Sequence, residues 1–189
     1  MIQEKIKNNK LFGLWIYLMS DCIMFAVLFA VYAIISSNFS TNFINHKIFN
    51  LSYVFLETFI LLLSSLSCGM LTIQKNKKNI KMIYFYLFLT FFLGLSFLLM
   101  EINEFHQLVL ENCSPSRHAF FSIFFTIIGI HGIHIFFGLI FILSIFYQLF
   151  NLGITDTIRI RILCFSLFWH FLDIIWICVF TFVYLNGVI

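Results

Sequence analysis

Five apolar runs, each long enough to cross a bilayer, set the terms for this chain. They cover about residues 11–35, 51–73, 82–104, 119–150 and 162–185. A bilayer's hydrocarbon core is about 30 Å thick, so a crossing α-helix needs about 20 consecutive apolar residues. A helix also satisfies its backbone hydrogen bonds internally, as a medium without water demands. The expected fold class is therefore all-α, a polytopic membrane protein with five transmembrane helices. Composition agrees. Of 189 residues, 62% are hydrophobic and 10% charged, against about 45–50% and about 25% in a soluble domain. That leaves almost no room for a soluble unit, and 1–189 reads as a single membrane domain.

The segments between the runs are short. Residues 1–10 form a polar arm with Lys5, Lys7 and Lys10. A basic start before an apolar run resembles a signal peptide. However, this run is too long, holds Asp21, and has no small-residue cleavage site, so it reads as an uncleaved spanning helix. Residues 36–50 are Asn-rich, 74–81 are basic, 105–118 contain the turn pair Ser114-Pro115, and 151–161 complete the linkers. The fourth run exceeds the hydrocarbon core at about 1.5 Å per residue, so its helix should tilt or protrude.

Alternating crossings sort the cations. Nine of the eleven Lys and Arg fall on the side of the N-terminus, leaving Lys47 and Arg117 on the other. Basic loops are retained in the cytoplasm. The N-terminus is expected to be cytoplasmic and the C-terminus periplasmic. The net charge of +3 follows from this bias and suggests no nucleic-acid partner.

Two compositional features have plain explanations. The 28 phenylalanines accompany abundant Ile, Asn and Lys and scarce Ala, as AT-rich codons would give, and they suit lipid contact. The five cysteines are odd in number and contain no C-x-x-C pair, so they read as packing residues and not as a disulfide framework or zinc site.

The polar residues inside the runs carry the functional question. A carboxylate near mid-bilayer costs about 2.5–3.5 kcal/mol and needs a partner. His170 and Asp173 lie i, i+3 on one helix face, and Trp169, Asp173 and Trp176 form an overlapping stripe. Counting from the cytoplasmic edge places Asp21, His131, His134, His170 and Asp173 at similar depth, able to meet in the inner half of one bundle. Glu57, Glu101, Glu104 and His106 collect toward the outer face. The histidine spacing at 131 and 134 is not that of the zinc helix motif. Hydrogen bonding between helices is the favoured reading, with no metal, cofactor or catalytic residue assigned. Asp21 suits either a proton-linked role or a structural hydrogen bond. Gly129, Gly132 and Gly138 read as close helix packing. Asp173 should hydrogen-bond within the bundle, most simply to His170 or to the fourth helix.

At these residues the chain resembles a known family. FWHFLDIIWICVFTFVYL (168–185) is similar to the last helix of subunit III of the haem-copper terminal oxidases, and FFTIIGIHGIHIFFG (124–138) to the helix before it. GLWIYLMSDCIMFAVLFAVYA (13–33) resembles the segment with that family's buried carboxylate, and GLSFLLMEINEF (94–105) the helix between. Five helices, and Asp at position 21 in place of Glu, resemble the bacterial bo-type ubiquinol-oxidase branch more than the seven-helix cytochrome c oxidase branch. The resemblance implies a non-catalytic subunit of a proton-pumping respiratory complex that passes electrons from ubiquinol to oxygen. It implies haems and copper in subunit I and none in this chain. It also implies subunits I, II and IV and membrane phospholipids as partners, and the bacterial inner membrane as location. The buried carboxylate would correspond to Asp21. The competing readings are a cytochrome c oxidase subunit III, a small secondary transporter and a membrane assembly factor. A transporter calls for broken helices or an internal repeat, and the sequence displays neither.

Overall fold

The structure, a computed structural model, describes residues 2–38, 51–74, 80–110 and 119–185. Among these, five helices are long and apolar enough to cross a membrane, and there is no strand. They are α1 (Ile2–Asn38), α2 (Leu51–Gln74), α3 (Ile80–Leu110), α4 (Ala119–Leu152) and α5 (Asp156–Val179). The end of α5 continues as a π-helical turn, Phe180–Leu185.

The outward faces are apolar. Phe12, Phe55, Phe85, Tyr147 and Phe150 are all more exposed than buried. In water such a surface would aggregate; in hydrocarbon it meets a solvent of its own kind. Polar residues therefore turn inward, the reverse of a soluble bundle. Helix α5 lies between α1, α2 and α4, while α3 packs on α2 and α4. Helix α1 joins the bundle chiefly through α4 and α5. The core centres on Trp169, Trp176, Phe97, Phe124, Phe165 and Tyr184, each less than 2% exposed.

Small residues let these large rings in. A Cβ on Gly94 would stand 2.8 Å from the Trp169 indole, and one on Gly138 2.7 Å from its opposite edge. The Trp169 ring thus sits in a slot made by a glycine on α3 and another on α4. Gly138 packs closely, as expected. Gly129 has an open surface around it and lines an apolar groove of about 260 Å³ on the α3–α4 seam.

The helices are longer than the apolar runs. Helix α3 continues to Leu110, past the expected end near 104. Helix α5 starts at Asp156, so most of the expected 151–161 linker is helix. The reason is a cap. Thr155 Oγ1 accepts a hydrogen bond from the Ile158 N–H at 3.4 Å, and Asp156 places its charge in the first turn, where the helix dipole favours it. Arg159 reaches back to Asp156 at 3.4 Å. Gly153, at φ 64°, closes α4, and its N–H bonds the Leu149 carbonyl at 3.1 Å. Arg161 then donates to Gln148 across the corner. Hydropathy misassigned this stretch because capping residues are polar. The Ser114-Pro115 turn, Lys47, Arg117 and the chain's last residues lie outside the described residues, as does Cys113. Of the described cysteines, Cys22, Cys68 and Cys178 are free.

Candidate functional site

The polar groups that the sequence places in the membrane form three separate sets. One lies on the α2–α5 seam. Trp169 Nε1 donates to Ser64 Oγ at 3.0 Å, and Trp176 Nε1 donates to Thr58 Oγ1 at 3.2 Å. His170 Nδ1 and Ser65 Oγ are 2.8 Å apart, and Gly69 faces the same imidazole. Indole and imidazole therefore read a register of hydroxyls along α2. Trp169 and Trp176 are i, i+7 on one face of α5; their partners Ser64 and Thr58 are six residues apart on α2, and the neighbouring Ser65 meets His170. Two of these hydroxyls are anchored in turn. Thr58 donates to the Val54 carbonyl at 2.8 Å, and Ser64 donates to the Thr90 carbonyl of α3 at 3.4 Å.

Asp173 belongs to this set. Its polar neighbours are Ser65 and His170. Of the two expected partners, His170 or a group on the fourth helix, His170 is a neighbour, and the hydrogen-bonding group from another helix comes from α2. Ser65, one side chain, faces both His170 and Asp173, and no residue on α4 occupies that role.

A second set joins α1 to α4. Asp21 Oδ2 lies 3.5 Å from His134 Nε2, with each side chain 12% exposed. His134 Nδ1 is 2.7 Å from the Ile130 carbonyl. A carbonyl only accepts, so Nδ1 carries a proton. The facing Nε2 and Oδ2 then attract only if a further proton lies on one of them. Tyr17, one turn earlier, also hydrogen-bonds Asp21. The arrangement places a carboxyl, an imidazole and a phenol side by side.

The third set lies at the opposite ends of these helices. Glu57 of α2 and Glu101 and Glu104 of α3 are electrostatic neighbours, buried to 0%, 3% and 8% exposure. Glu104 Oε2 accepts from the Tyr184 hydroxyl at 2.9 Å. The π turn positions Tyr184 for this contact. It also offers the Val183 carbonyl to the Tyr32 hydroxyl at 3.1 Å, fastening α1. The Glu101 carboxyl lies against Gly132, where an added Cβ would stand 2.7 Å from Oε1. Gly132 thus makes room for a carboxyl, in addition to close helix packing.

His131 stands apart. It is fully buried, stacks on Trp176 at 5.2 Å between ring centroids, and meets Phe97 edge-on at 6.1 Å. Neither of its ring nitrogens has a hydrogen-bond partner.

The expectation that Asp21, His131, His134, His170 and Asp173 meet in one inner cluster is thus replaced by a division. Asp21 and His134 face each other across α1 and α4. His170 and Asp173 face α2. His131 is enclosed by aromatic rings. Helix periodicity is the cause, because i, i+3 neighbours differ by about 60° around the axis and a buried helix packs different partners on each side. Glu57, Glu101 and Glu104 do come together as expected, while His106 is exposed on α3. The three imidazoles near mid-bundle point to three different partners and make no common ligand set. Among the described residues no three His, Cys, Asp or Glu side chains converge to hold a metal ion. Sequence reasoning missed Thr58, Ser64, Ser65, Thr90 and Tyr184. The hydroxyls that α2 carries at positions 58, 64 and 65, opposite the Trp169, His170 and Trp176 of α5, were the available signal.

Comparison with known proteins matches the sequence to a family. The family model described as cytochrome c oxidase subunit III matches residues 3–188. Subunit 3 of a cytochrome bo(3) ubiquinol oxidase from Buchnera aphidicola subsp. Schizaphis graminum is 88% identical over 189 residues, covering 100% of both chains. Its counterpart in Pseudomonas aeruginosa is 47% identical over 95% of this chain and 86% of its own. A cytochrome c oxidase subunit 3 from Alkalihalophilus pseudofirmus is 35% identical over 96% of this chain and 88% of its own. Identity is thus higher to these two ubiquinol-oxidase subunits. The chain belongs to the haem-copper oxidase subunit III family, as a subunit III of the bo(3) ubiquinol-oxidase kind.

Proposed function

We propose that the chain is the non-catalytic third subunit of a proton-pumping ubiquinol oxidase in the bacterial inner membrane. As one membrane domain it packs on subunit I, with subunits II and IV as further partners. It retains phospholipid at its apolar faces and supports proton uptake and durability of the complex. The haems and copper belong to subunit I. The cation bias of nine to two supports an N-terminus in the cytoplasm and a C-terminus in the periplasm.

The observation that carries the proton-linked part is the Asp21–His134 pair. It joins the most lightly packed helix to the bundle and sets a carboxyl 3.5 Å from an imidazole inside the membrane-crossing segments. His131, His170, Asp173, Glu57, Glu101 and Glu104 serve the same subunit as internal polar contacts rather than as redox ligands. The test is purification in mild detergent. Haem absorbance co-eluting with this chain supports the reading, and a haem-free homo-oligomer overturns it. Within the complex, Asp21→Asn keeps the shape but removes the titrating carboxylate. Recovery should stay normal while proton uptake slows or the turnover lifetime shortens.

A further inference from the structure

The α3–α4 seam is not closed along its whole length. The apolar groove that opens on it lies between Leu98, Ile102 and Phe105 of α3 and Gly129, Ile133 and Phe136 of α4. From Leu98 to Phe105 it spans about 10 Å, at about 1.5 Å per residue. Ile102, Ile133 and Phe136 are more exposed than buried, so the groove faces outward, toward hydrocarbon. Nothing lies within 4 Å of where a Gly129 Cβ would stand, which leaves that part of the floor open.

Among the described residues that line the groove, one side chain is polar. Glu101 is itself only 3% exposed, and its Oε1 has no hydrogen-bond partner. A Cβ on Gly132 would stand 2.7 Å from that oxygen, so the absent side chain at 132 is what lets the carboxyl reach across to α4. An apolar concavity between helices with one well-placed polar group is the usual form of a small-molecule site.

Chemistry narrows the occupant. An acyl chain fills the groove but leaves Oε1 unsatisfied, which is costly for a buried acceptor. A phosphate headgroup fails on charge. None of the described lining residues is Lys or Arg, and Glu57 and Glu104 are the electrostatic neighbours of Glu101. The carboxyl calls for a neutral group that donates. A hydroxyl donates to a carboxylate and also accepts from a carboxylic acid, so it fits Glu101 in either protonation state, whereas a carbonyl only accepts and fits one. The rest of the molecule must be apolar. A flat ring suits a glycine floor flanked by Phe105 and Phe136, because aromatic faces and edges pack on one another. A hydroquinone on an isoprenoid chain combines these properties.

We propose that the α3–α4 groove holds the head of a quinol, with one ring hydroxyl donating to Glu101 Oε1 and the isoprenoid chain leaving along the outward apolar surface. The proposal rests on the reading of this chain as a ubiquinol-oxidase subunit, which puts such a molecule in the same membrane. The site keeps a quinol on the complex and assigns no oxidation step to this chain.

The test is photolabelling of the haem-containing complex in lipid nanodiscs with a photoreactive azido-ubiquinol, with labelled peptides mapped by mass spectrometry. Because the sample already contains haem and this chain, a failure of labelling counts against the groove alone and not against the subunit assignment. Wild type should carry label within residues 98–105 or 129–136. Excess unlabelled ubiquinol should remove it, and excess phosphatidylglycerol or phosphatidylethanolamine should not. Gly129→Leu fills the groove where a side chain meets nothing of the protein at its Cβ, and should abolish the label. Glu101→Leu removes the acceptor and should weaken labelling about tenfold, as expected for one lost buried hydrogen bond. Glu101→Gln keeps a carbonyl acceptor and should weaken it less. No label in these segments, label displaced equally by phospholipid, or label unchanged in Gly129→Leu overturns the proposal. Should a variant fail to assemble, the competition between ubiquinol and phospholipid on wild type decides by itself.

Discussion

The α2–α5 seam and the α1–α4 seam solve the same problem in different ways. Both must satisfy polar side chains in a medium that offers no water. The α2–α5 seam does so by redundancy, with two indoles and an imidazole set against three hydroxyls, two of which, Thr58 and Ser64, are themselves bonded to carbonyls of α2 and α3. The α1–α4 seam relies on Asp21, His134 and Tyr17, on a helix whose membrane-crossing segment is only 22% buried. Redundant hydrogen bonds combined with deep packing give a fixed interface. A single acid–imidazole contact at a thin seam leaves α1 the less firmly held helix, so the first seam carries more of the subunit's stability.

The strongest way to break this contrast is to damage the α2–α5 seam at Trp169. Trp169→Ala removes a completely buried ring from the Gly94–Gly138 slot and leaves Ser64 without its donor. Such truncations cost about 3–5 kcal/mol. The subunit should dissociate from the complex at lower detergent concentration or temperature, as read by its stoichiometry after purification.

Gly132→Ala should come next. The added methyl meets the Glu101 carboxyl at less than van der Waals distance, and overpacking costs about 1–3 kcal/mol. Thermal melting of the complex should show the loss. Adding Glu101→Ala should restore part of it, whereas a purely additive double variant would show that the two residues do not meet.

Asp173→Leu tests whether the α2–α5 seam depends on its charged member. Ser65 and His170 lose a neighbour, and an unsatisfied buried group costs about 1–3 kcal/mol. Because His170 keeps its Ser65 contact, the effect should lie toward the lower end and appear as reduced recovery of this chain with the complex. Asp21→Asn should have the smallest structural effect. Interhelical polar contacts in membranes average about 0.6 kcal/mol, and Asn retains part of this one. Normal recovery with altered proton uptake would sharpen the comparison. It would collapse if Asp173→Leu assembled like wild type while Asp21→Asn did not.

Topology is the outermost test and leaves stability untouched. A reporter fused after Ile189 should be active only outside the cytoplasm. Cytoplasmic activity would reverse which carboxyl set lies near which membrane face.

Much of this architecture was legible from apolar runs alone, because a bilayer demands length and uniform hydrophobicity from each crossing. The start of α5 was not, although Thr155 and Asp156 signalled a helix cap within a polar stretch. Glu57, Glu101 and Glu104 were grouped correctly from depth alone, since the spacing along each helix fixes height above the membrane plane. Asp21, His134, His170 and Asp173 were matched in depth but not in partner, because height says nothing about the angle at which each helix faces its neighbours.

The sequence by itself determined that five helices cross a bilayer, which residues would be costly there, and which family the chain belongs to. Those properties depend on hydrophobic length and on local motifs, both contained in consecutive residues. Tertiary structure decided that Ser65 partners His170, that His134 faces Asp21, and that a carboxyl occupies the space left by Gly132. These contacts depend on the rotation and separation of neighbouring helices. Packing around Trp169 and Trp176 sets both, and no single helix carries that information.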